Sequence, residues 1–379
     1  MIASVIILFS PVLSAQDAWK PMEWKGYVKD LQGVNVYGQF DSSSFSNLIH
    51  NRIILKADIS KRLSGRLEVR NRIYTGSFIH KTPGFSQGLD PYPELLDLSI
   101  LWIDDPSLVF HSVIDRLLLS YSMEKWDVTI GRQRINWGMN TVWNPNDIFN
   151  AYNFLDFDYE ERPGNDALRI RYHPKENSSI EWAWKPGKEK DQHIASFLYR
   201  FNRDKYDLQF LGGVCLSDIV VGAGWAGSIG EKGFKGELSY FHPATHPFDT
   251  MGVLSASLMM DHTLKNGWYL SASLLYNSHP AGFSGDAGIF SSDLSAKSLF
   301  PFRYSFYTGV VKNIATLFNL TASIVYAPDH HSLIIFPSMS YNASEALDID
   351  LTIQSFFASD QGRYALQGGA LYLRGRWSF

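Results

Sequence analysis

Hydrophobic and polar positions alternate along most of this chain, in short runs separated by turn residues. In the run 47–61, Ile49 and Ile53 point to one side, whereas Arg52 and Lys56 point to the other. Side chains of a β-strand alternate between its two faces, so each run predicts a strand with one apolar and one polar face. No segment of useful length shows the period of an amphipathic helix. The pattern therefore predicts an all-β protein.

The arrangement of the predicted strands favours a barrel that crosses a membrane. The runs fall at 27–40, 47–61, 64–76, 113–122, 126–135, 166–173, 178–186, 192–201, 205–212, 217–228, 233–242, 250–261, 266–278, 301–312, 316–327, 331–341, 345–357 and 364–379. Tight turns alternate with longer connections, of which the longest lie near 77–112, 136–165 and 279–300. Bacterial membrane barrels have short periplasmic turns and longer external loops. We therefore predict a transmembrane antiparallel up-and-down β-barrel of about 18 strands, within a range of about 16–20.

One further run, 95–103, also has the character of a strand. Counting it as a spanning strand would invert the sides of all the turns before it. We therefore place it within the first long loop, paired in an extracellular extension of the sheet.

Both ends of the chain carry patterns of an exported protein. Residues 2–12 form an apolar run, and Leu13-Ser14-Ala15 follows it, which resembles a secretory signal peptide and its cleavage site. We therefore predict a signal peptide at 1–15 and a single barrel domain at 16–379. In the last predicted strand, four apolar side chains share one face: Leu371, Leu373, Trp377 and Phe379.

This terminal strand resembles the C-terminal targeting strand of bacterial outer-membrane barrels, which also ends in an aromatic residue. The resemblance implies an integral protein of the outer membrane of a Gram-negative bacterium, surrounded by outer-membrane lipid and recognised by the barrel-assembly machinery. The alternative is an ordinary amphipathic strand at the end of a soluble β-protein.

Composition changes this picture little. The mean hydropathy is -0.13, as expected when half of each strand faces water. Aromatic residues make up 15% of the chain, which fits the aromatic girdles of a barrel or a carbohydrate-binding surface. The formal net charge of -4 argues against binding to nucleic acid. Cys215 is the only cysteine, so no intramolecular disulfide can form.

Basic side chains are concentrated on the predicted inward faces. When the polar face of each strand is assigned to the lumen, bases outnumber acids there, although the whole chain is acidic. Rings of Arg or Lys in a pore favour anions. The clustered candidates for selectivity are Arg66, Arg70, Arg72, Arg169, Arg171, Arg374 and Arg376. Structural pairing of these groups with interior acids is the alternative.

A second candidate site follows the fifth predicted strand. Alternation from Trp126 to Ile130 would send Arg132 and Arg134 to the lipid side, and we expect a bulge at Gly131 to turn them inward. A long loop then begins. Its amide and aromatic side chains suit sugar hydroxyls and rings, but they also suit packing against the barrel wall. The candidates for the mouth or constriction are Arg132, Arg134, Trp137 and Trp143.

The segment Gly131-Arg132-Gln133-Arg134-Ile135-Asn136-Trp137-Gly138 resembles a Gly-Arg-Gln-x-x-x-Trp-Gly segment of alginate-export-like and related uncharacterised outer-membrane porins. The resemblance covers residues 126–150 well and the remainder only as a barrel pattern. It implies an outer-membrane channel with this loop near the pore, and an Arg/Lys-rich lumen that conducts an acidic polysaccharide.

Chemistry other than transport has little support. No nucleophile-elbow, metalloprotease or P-loop pattern is present, and we expect no metal and no cofactor. The carboxylates at 156–166 could hold calcium, but their spacing is not that of an EF-hand loop, and a solvated or arginine-paired loop is the favoured interpretation. We predict a channel for small hydrophilic solutes, anionic ones above all and saccharides among them. The alternatives are a closed structural or partner-binding barrel in an envelope complex and, with less support, a barrel lipase or protease.

Overall fold

The computed structural model describes residues 21–89, 94–151, 161–245, 251–280, 295–360 and 362–379. The predicted signal peptide at 1–15 lies outside these ranges. No helix in the described ranges is long and apolar enough to cross a membrane. The longest helix among them, α1, spans Ser77–Lys81 in the connection after the third strand.

Nineteen strands account for most of the described chain. They are β1 (Met22–Tyr37), β2 (Ser42–Asp58), β3 (Leu63–Thr75), β4 (Ser99–Asp105), β5 (Leu108–Ser122), β6 (Trp126–Gln133), β7 (Asn165–Lys175), β8 (Ser178–Lys185), β9 (Ile194–Arg203), β10 (Tyr206–Cys215), β11 (Asp218–Ile229), β12 (Lys232–Pro243), β13 (Val253–Thr263), β14 (Trp268–Asn277), β15 (Tyr304–Ala315), β16 (Phe318–Ala327), β17 (Ser332–Asn342), β18 (Leu347–Asp360) and β19 (Arg363–Ser378). Every strand of the predicted set overlaps one of them.

The sheet closes on itself. Consecutive strands pair antiparallel except β3 and β4, because β3 pairs with β5, and β1 pairs with both β2 and β19. The closing register places Tyr27 opposite Ser378 and Tyr37 opposite Gly368. Eighteen strands complete this circuit, and β4 pairs only with β5. The prediction of a closed up-and-down barrel is confirmed.

The short strand β4 lies beside the outer half of β5. Ser99 of β4 pairs with Val113, whereas β6 pairs with β5 only from Leu117 onwards. The run 95–103 is therefore a strand that does not span on its own, and it occupies the place in the wall that the short β6 leaves vacant.

The outer face of the barrel is mainly apolar. Ile53, Phe210, Leu258 and Leu373 are examples of its exposed apolar side chains, which are suited to hydrocarbon. Closure gives each of the 18 strands of the circuit a neighbour on both sides, the condition for crossing a bilayer. A closed barrel with this outer face is an integral outer-membrane β-barrel.

A bulge in β5 changes the phase of its faces. Glu68 of β3 pairs with Arg116, and the next residue, Val69, pairs with Ile114. Asp115 is the extra residue, so it and Arg116 both turn inward and are buried. Two charged groups of opposite sign thus enter the lumen from adjacent positions.

Candidate functional site: the barrel lumen

A loop folded into the lumen dominates the interior. After β6 the chain leaves the sheet, and residues 134–151 run inside the barrel. Ile135, Trp137, Trp143, Asn146 and Asp147 all have at most 1% of their surface exposed. We call residues 134–151 the inner loop.

One carboxylate on β12 holds the inner loop in place. The buried Glu237 accepts backbone N–H donors from Met139, Asn140 and Asn146, the last at 2.9 Å. Ser239, two residues along the same face of β12, donates to Asn146 Oδ1 at 2.8 Å. Backbone donors of a buried loop need partners, and Glu237 supplies three of them.

The two predicted tryptophans pack inside the lumen. Trp137 donates from Nε1 to Glu181 of β8 and contacts Phe149 edge to face, with 5.0 Å between ring centroids. Trp143 contacts Phe300, which follows β14, at 6.4 Å. The inner loop therefore packs against the wall through its own aromatic side chains, which was one of the two alternatives left open by the sequence.

An ion pair closes the far end of the inner loop. Arg162 Nη1 contacts Asp147 Oδ2, and Asp147 Oδ1 accepts the backbone N–H of Trp137 at 3.2 Å. Burial raises the pKa of Asp147 to about 7, although Arg162 beside it acts to lower the pKa. The charge on this carboxylate is thus sensitive to pH near neutrality.

The opposite side of the lumen keeps an open cavity of about 480 Å³. Inward-facing residues of β2, β3, β5, β6 and β7 line the cavity, together with the first residues of the inner loop. Its basic lining residues are Lys56, Arg66, Arg116, Arg134, Arg169 and Arg171, and its acidic ones are Asp58 and Asp127. We call this the basic cavity.

Carboxylates behind the cavity surface pair with its arginines. Arg66 contacts Glu68, while Arg169 and Arg171 share Glu181 at 2.6 and 3.4 Å. The side chains of Arg66 and Arg171 are 37% and 34% exposed, whereas those of Glu68 and Glu181 are 0% and 5% exposed. A solute in the cavity therefore meets guanidinium groups before it meets their counter-ions.

The remaining predicted selectivity residues are also inward and partnered. Arg70 pairs with Asp115 at 3.1 Å, and Arg374 pairs with Asp350 at 2.9 Å. Arg72 Nη2 lies 2.9 Å from His111 Nδ1. These arginines therefore pair with other side chains in the lumen wall, and this pairing does not prevent them from contributing to anion selectivity.

Arg376 lies at the seam of the barrel. Its guanidinium stands over the ring of Tyr27 at 4.5 Å. Arg376 is in register with Lys29, Lys29 with His50, and His50 with Arg72. Strands β1 and β2 thus separate Arg374 and Arg376 from the β3 arginines, so these groups form a row around the wall and not a compact cluster.

Asp115 and Lys29 are among the inward charges that the sequence reasoning missed. Asp115 contacts Arg52 at 3.0 Å, and Arg52 also contacts Glu68 at 2.7 Å, with all three side chains buried. A strict alternation of inward and outward residues does not predict the bulge that turns Asp115 inward. Lys29 of β1 is 1% exposed, and its inward position could have been found from the alternation with Tyr27 and Leu31.

The expected bulge at Gly131 is wrong. The pairing of β6 with β5 and β7 stays regular through Arg132. Gly131 instead adopts a φ of +109°, and a Cβ there would lie 2.2 Å from the carbonyl oxygen of Leu117, so only glycine fits. Arg132 pairs with Asp166 at 2.8 Å. Arg134 alone of the two arginines reaches the basic cavity.

Within the described ranges, no group of three or more His, Cys, Asp or Glu residues is placed to hold a metal ion. Most of the carboxylate segment considered for calcium, 156–160, lies outside those ranges. Its last described members are engaged elsewhere, because Glu161 contacts Arg116 at 3.0 Å and Asp166 contacts Arg132.

No family model and no curated protein matches the chain. Several solved structures share its fold. OccAB4 of Acinetobacter baumannii has a TM-score of 0.58 at 8% identity, covering 95% of this chain and 99% of that one. OccK5 (OpdH) of Pseudomonas aeruginosa has a TM-score of 0.60 at 7% identity, covering 94% and 98%. The outer membrane protein OpdK of the same organism has a TM-score of 0.54 at 7% identity, covering 94% of this chain and 99% of that one.

Proposed function

We propose that this barrel is a channel through which small hydrophilic solutes, above all anions, diffuse across the outer membrane. The observation that carries the proposal is the basic cavity, where six cationic side chains and two acidic ones line about 480 Å³ of open lumen. A low-dielectric wall focuses the field of such groups and raises the local concentration of counter-ions. Solutes would pass between this wall and the inner loop.

The roles of individual residues follow from their exposure. Arg66, Arg134 and Arg171 have side chains 37%, 35% and 34% exposed, so they would contact the solute directly. Arg70, Arg72, Arg169, Arg374 and Arg376 would extend the positive field along the wall. Trp137 and Trp143 would set the constriction by fixing the inner loop, and Arg132 would hold the outer end of β6 in place.

The structural relatives are consistent with this proposal. The barrels that share the fold are Occ and Opd outer-membrane porins. One structure of OpdK, with a TM-score of 0.55 at 9% identity, contains vanillate, an aromatic carboxylate. A small carboxylate is therefore a suitable first solute to test. An acidic saccharide, as the resemblance to alginate-export-like porins implies, is the second.

The test is the reversal potential of purified protein in a planar bilayer under a salt gradient. We expect an anion preference in the parent and its loss when Arg66, Arg134 and Arg171 are replaced together by Gln. The matched control is Arg203→Gln, which removes a charge from a 76% exposed side chain in a periplasmic turn. A parent with cation preference, or a triple variant with unchanged selectivity, would contradict the proposal.

The inner loop favours a second candidate function. It fills the lumen along β8–β14, as expected of a closed barrel that serves as an envelope-complex subunit. Trp137, Trp143 and Phe149 are nearly completely buried there. The absence of conductance from protein shown to be folded and inserted would support this candidate over the channel.

A further inference from the structure

The outer wall of β1–β5 carries polar side chains where a barrel presents apolar ones. Asn51 lies between Ile49 and Ile53 on the outward face of β2, and both isoleucines are 43% exposed. Register places Asn71 beside Asn51 and Ser112 beside Asn71. We call the whole outward set the polar track: Asp30, Gln32, Asn47, Asn51, Asn71, Thr75 and Ser112.

Hydrogen bonds link the track across the five strands β1–β5. Trp102 Nε1 donates to Ser112 Oγ at 2.9 Å, and Ser112 Oγ donates to Asn71 Oδ1 at 2.7 Å. Asn71 Nδ2 donates to Asn51 Oδ1 at 3.2 Å, and Asn51 Nδ2 donates to the carbonyl of Tyr27 at 3.2 Å. The track is therefore an organised feature of the wall and not a scatter of single polar residues.

The track contains a carboxylate at its β1 end. Asp30 is exposed on the outward face of β1. Its hydrogen-bond donors in the described part of the chain are amides, from Gln32 at 2.9 Å and from Asn47. Amide donors leave the negative charge in place.

Asp30 lies at the depth of the hydrocarbon. The outward aromatic residue below it on β1 is Trp24, which packs against Phe379 at the periplasmic end. Asp30 is six residues further along the strand. At about 3.4 Å per residue and a tilt of about 40°, that is roughly 15 Å higher, near the middle of an apolar band about 25 Å tall.

Other sectors of the wall look different. On β10–β14 the exposed outward side chains are apolar, such as Phe210, Val221, Leu238, Leu258 and Leu270. The polar track is thus confined to one sector, next to the seam where β1 meets β19.

Hydrocarbon chains are a poor cover for this sector, because a carboxylate and amides gain no partners from them. A protein surface can supply hydrogen-bond partners to the track. A protein that reaches this depth of the bilayer must itself be a membrane protein. The track holds an acceptor, Asp30, and donors, the amides of Gln32, Asn47, Asn51 and Asn71, within one patch. A patch with its own donors and acceptors has both kinds of group that a two-fold interface needs, because each group then meets its complement on the second copy.

We propose that the polar track is the interface of a two-fold homodimer of this chain. Asp30 of each protomer accepts hydrogen bonds from the amides of its partner, and the Asn51 side chains of the two protomers lie near the axis. The dimer places both lumens in parallel and leaves the basic cavity of each unchanged.

The test combines native mass spectrometry with cysteine cross-linking. The wild-type protein in detergent should be a dimer. Asn51→Cys, treated with a short bismaleimide in native membranes, should give a cross-linked dimer. The matched control is Leu258→Cys on the apolar wall, at a residue with 43% exposure, and it should give less than about a tenth of the product. Cys215 is buried and does not interfere.

A double variant provides an independent measurement. Asp30→Leu with Asn47→Leu should shift the protein to monomers, while the folded barrel keeps its heat-modifiable mobility on gels. Asn51→Cys in the otherwise wild-type protein still tests the interface if the double variant does not fold. A monomeric wild type, equal cross-linking at Asn51→Cys and Leu258→Cys, or a complex through the track with a different protein would overturn the proposal.

Discussion

Among the side chains that hold the inner loop, Glu237 makes the sharpest prediction. Glu237 is 1% exposed and accepts three backbone N–H groups of the loop. Glu237→Ala removes both carboxylate oxygens and so leaves all three N–H donors without this partner. Glu237→Gln keeps one acceptor oxygen, so its effect should be intermediate between those of the parent and Glu237→Ala.

The expected effect can be estimated from the hydrogen bonds. A buried donor left without a partner costs about 1–3 kcal/mol, so three donors cost roughly 3–9 kcal/mol. Water in the lumen can satisfy some of them, so the low end applies. Even about 3 kcal/mol shifts the equilibrium between the packed and the released loop by roughly a hundredfold. The released loop should therefore be populated roughly a hundredfold more than in the parent.

The assay is single-channel conductance in planar bilayers. We expect Glu237→Ala to give larger and noisier steps than the parent, with Glu237→Gln between them. The control is Asp261→Ala, which removes a lumenal acid of the next strand that pairs with Lys235 at 3.4 Å. Asp261→Ala should behave like the parent, because Asp261 does not hold the inner loop.

One result would refute this reasoning. If Glu237→Ala is folded by its heat-modifiable mobility and has the conductance of the parent, Glu237 does not control the loop. A non-conducting parent with a conducting Glu237→Ala variant would instead support both the reasoning and a closed resting lumen.

Two further predictions concern the buried charges. Arg52→Ala removes the cation that Glu68 and Asp115 share, but Glu68 keeps Arg66 and Asp115 keeps Arg70. The barrel should therefore lose stability, by less than the roughly 3–5 kcal/mol of a buried charge left without a partner; urea unfolding in detergent measures the loss, and an unchanged midpoint would contradict this. The pKa of Asp147 is raised from 3.8 to about 7 in the packed loop, so the packed loop holds its proton more tightly than the released loop. Packing should therefore weaken, and conductance should rise, as the pH increases from about 4 to about 7, with the trend absent in Asp147→Asn.

The strands of the barrel wall could be predicted from the sequence, because the alternation of apolar and polar side chains along a strand is a local property. Each strand had to carry its apolar side chains on one face, whatever its neighbours were. The outward positions of Leu371, Leu373, Trp377 and Phe379, which are 41–53% exposed, follow from that rule alone. Their role in targeting remains a prediction.

The interior was less accessible, because it depends on contacts between distant segments. Glu237 and Met139 are 98 residues apart, and nothing near either residue marks the pair. Asp115 was missed because one extra residue changes the phase of β5. Lys29 was missed although its alternation is regular, since Asp30 and Gln32 make the outward face of β1 as polar as the inward one.

The seam between β1 and β19 has a consequence for the order of assembly. Asn35 accepts a hydrogen bond from Tyr372 across this seam at 3.2 Å, and the two residues are 337 positions apart. The entropy of closing a loop grows with its length, and contacts between distant residues form slowly. The first strand to be synthesised therefore waits for the last, and until then two strand edges stay open to aggregation.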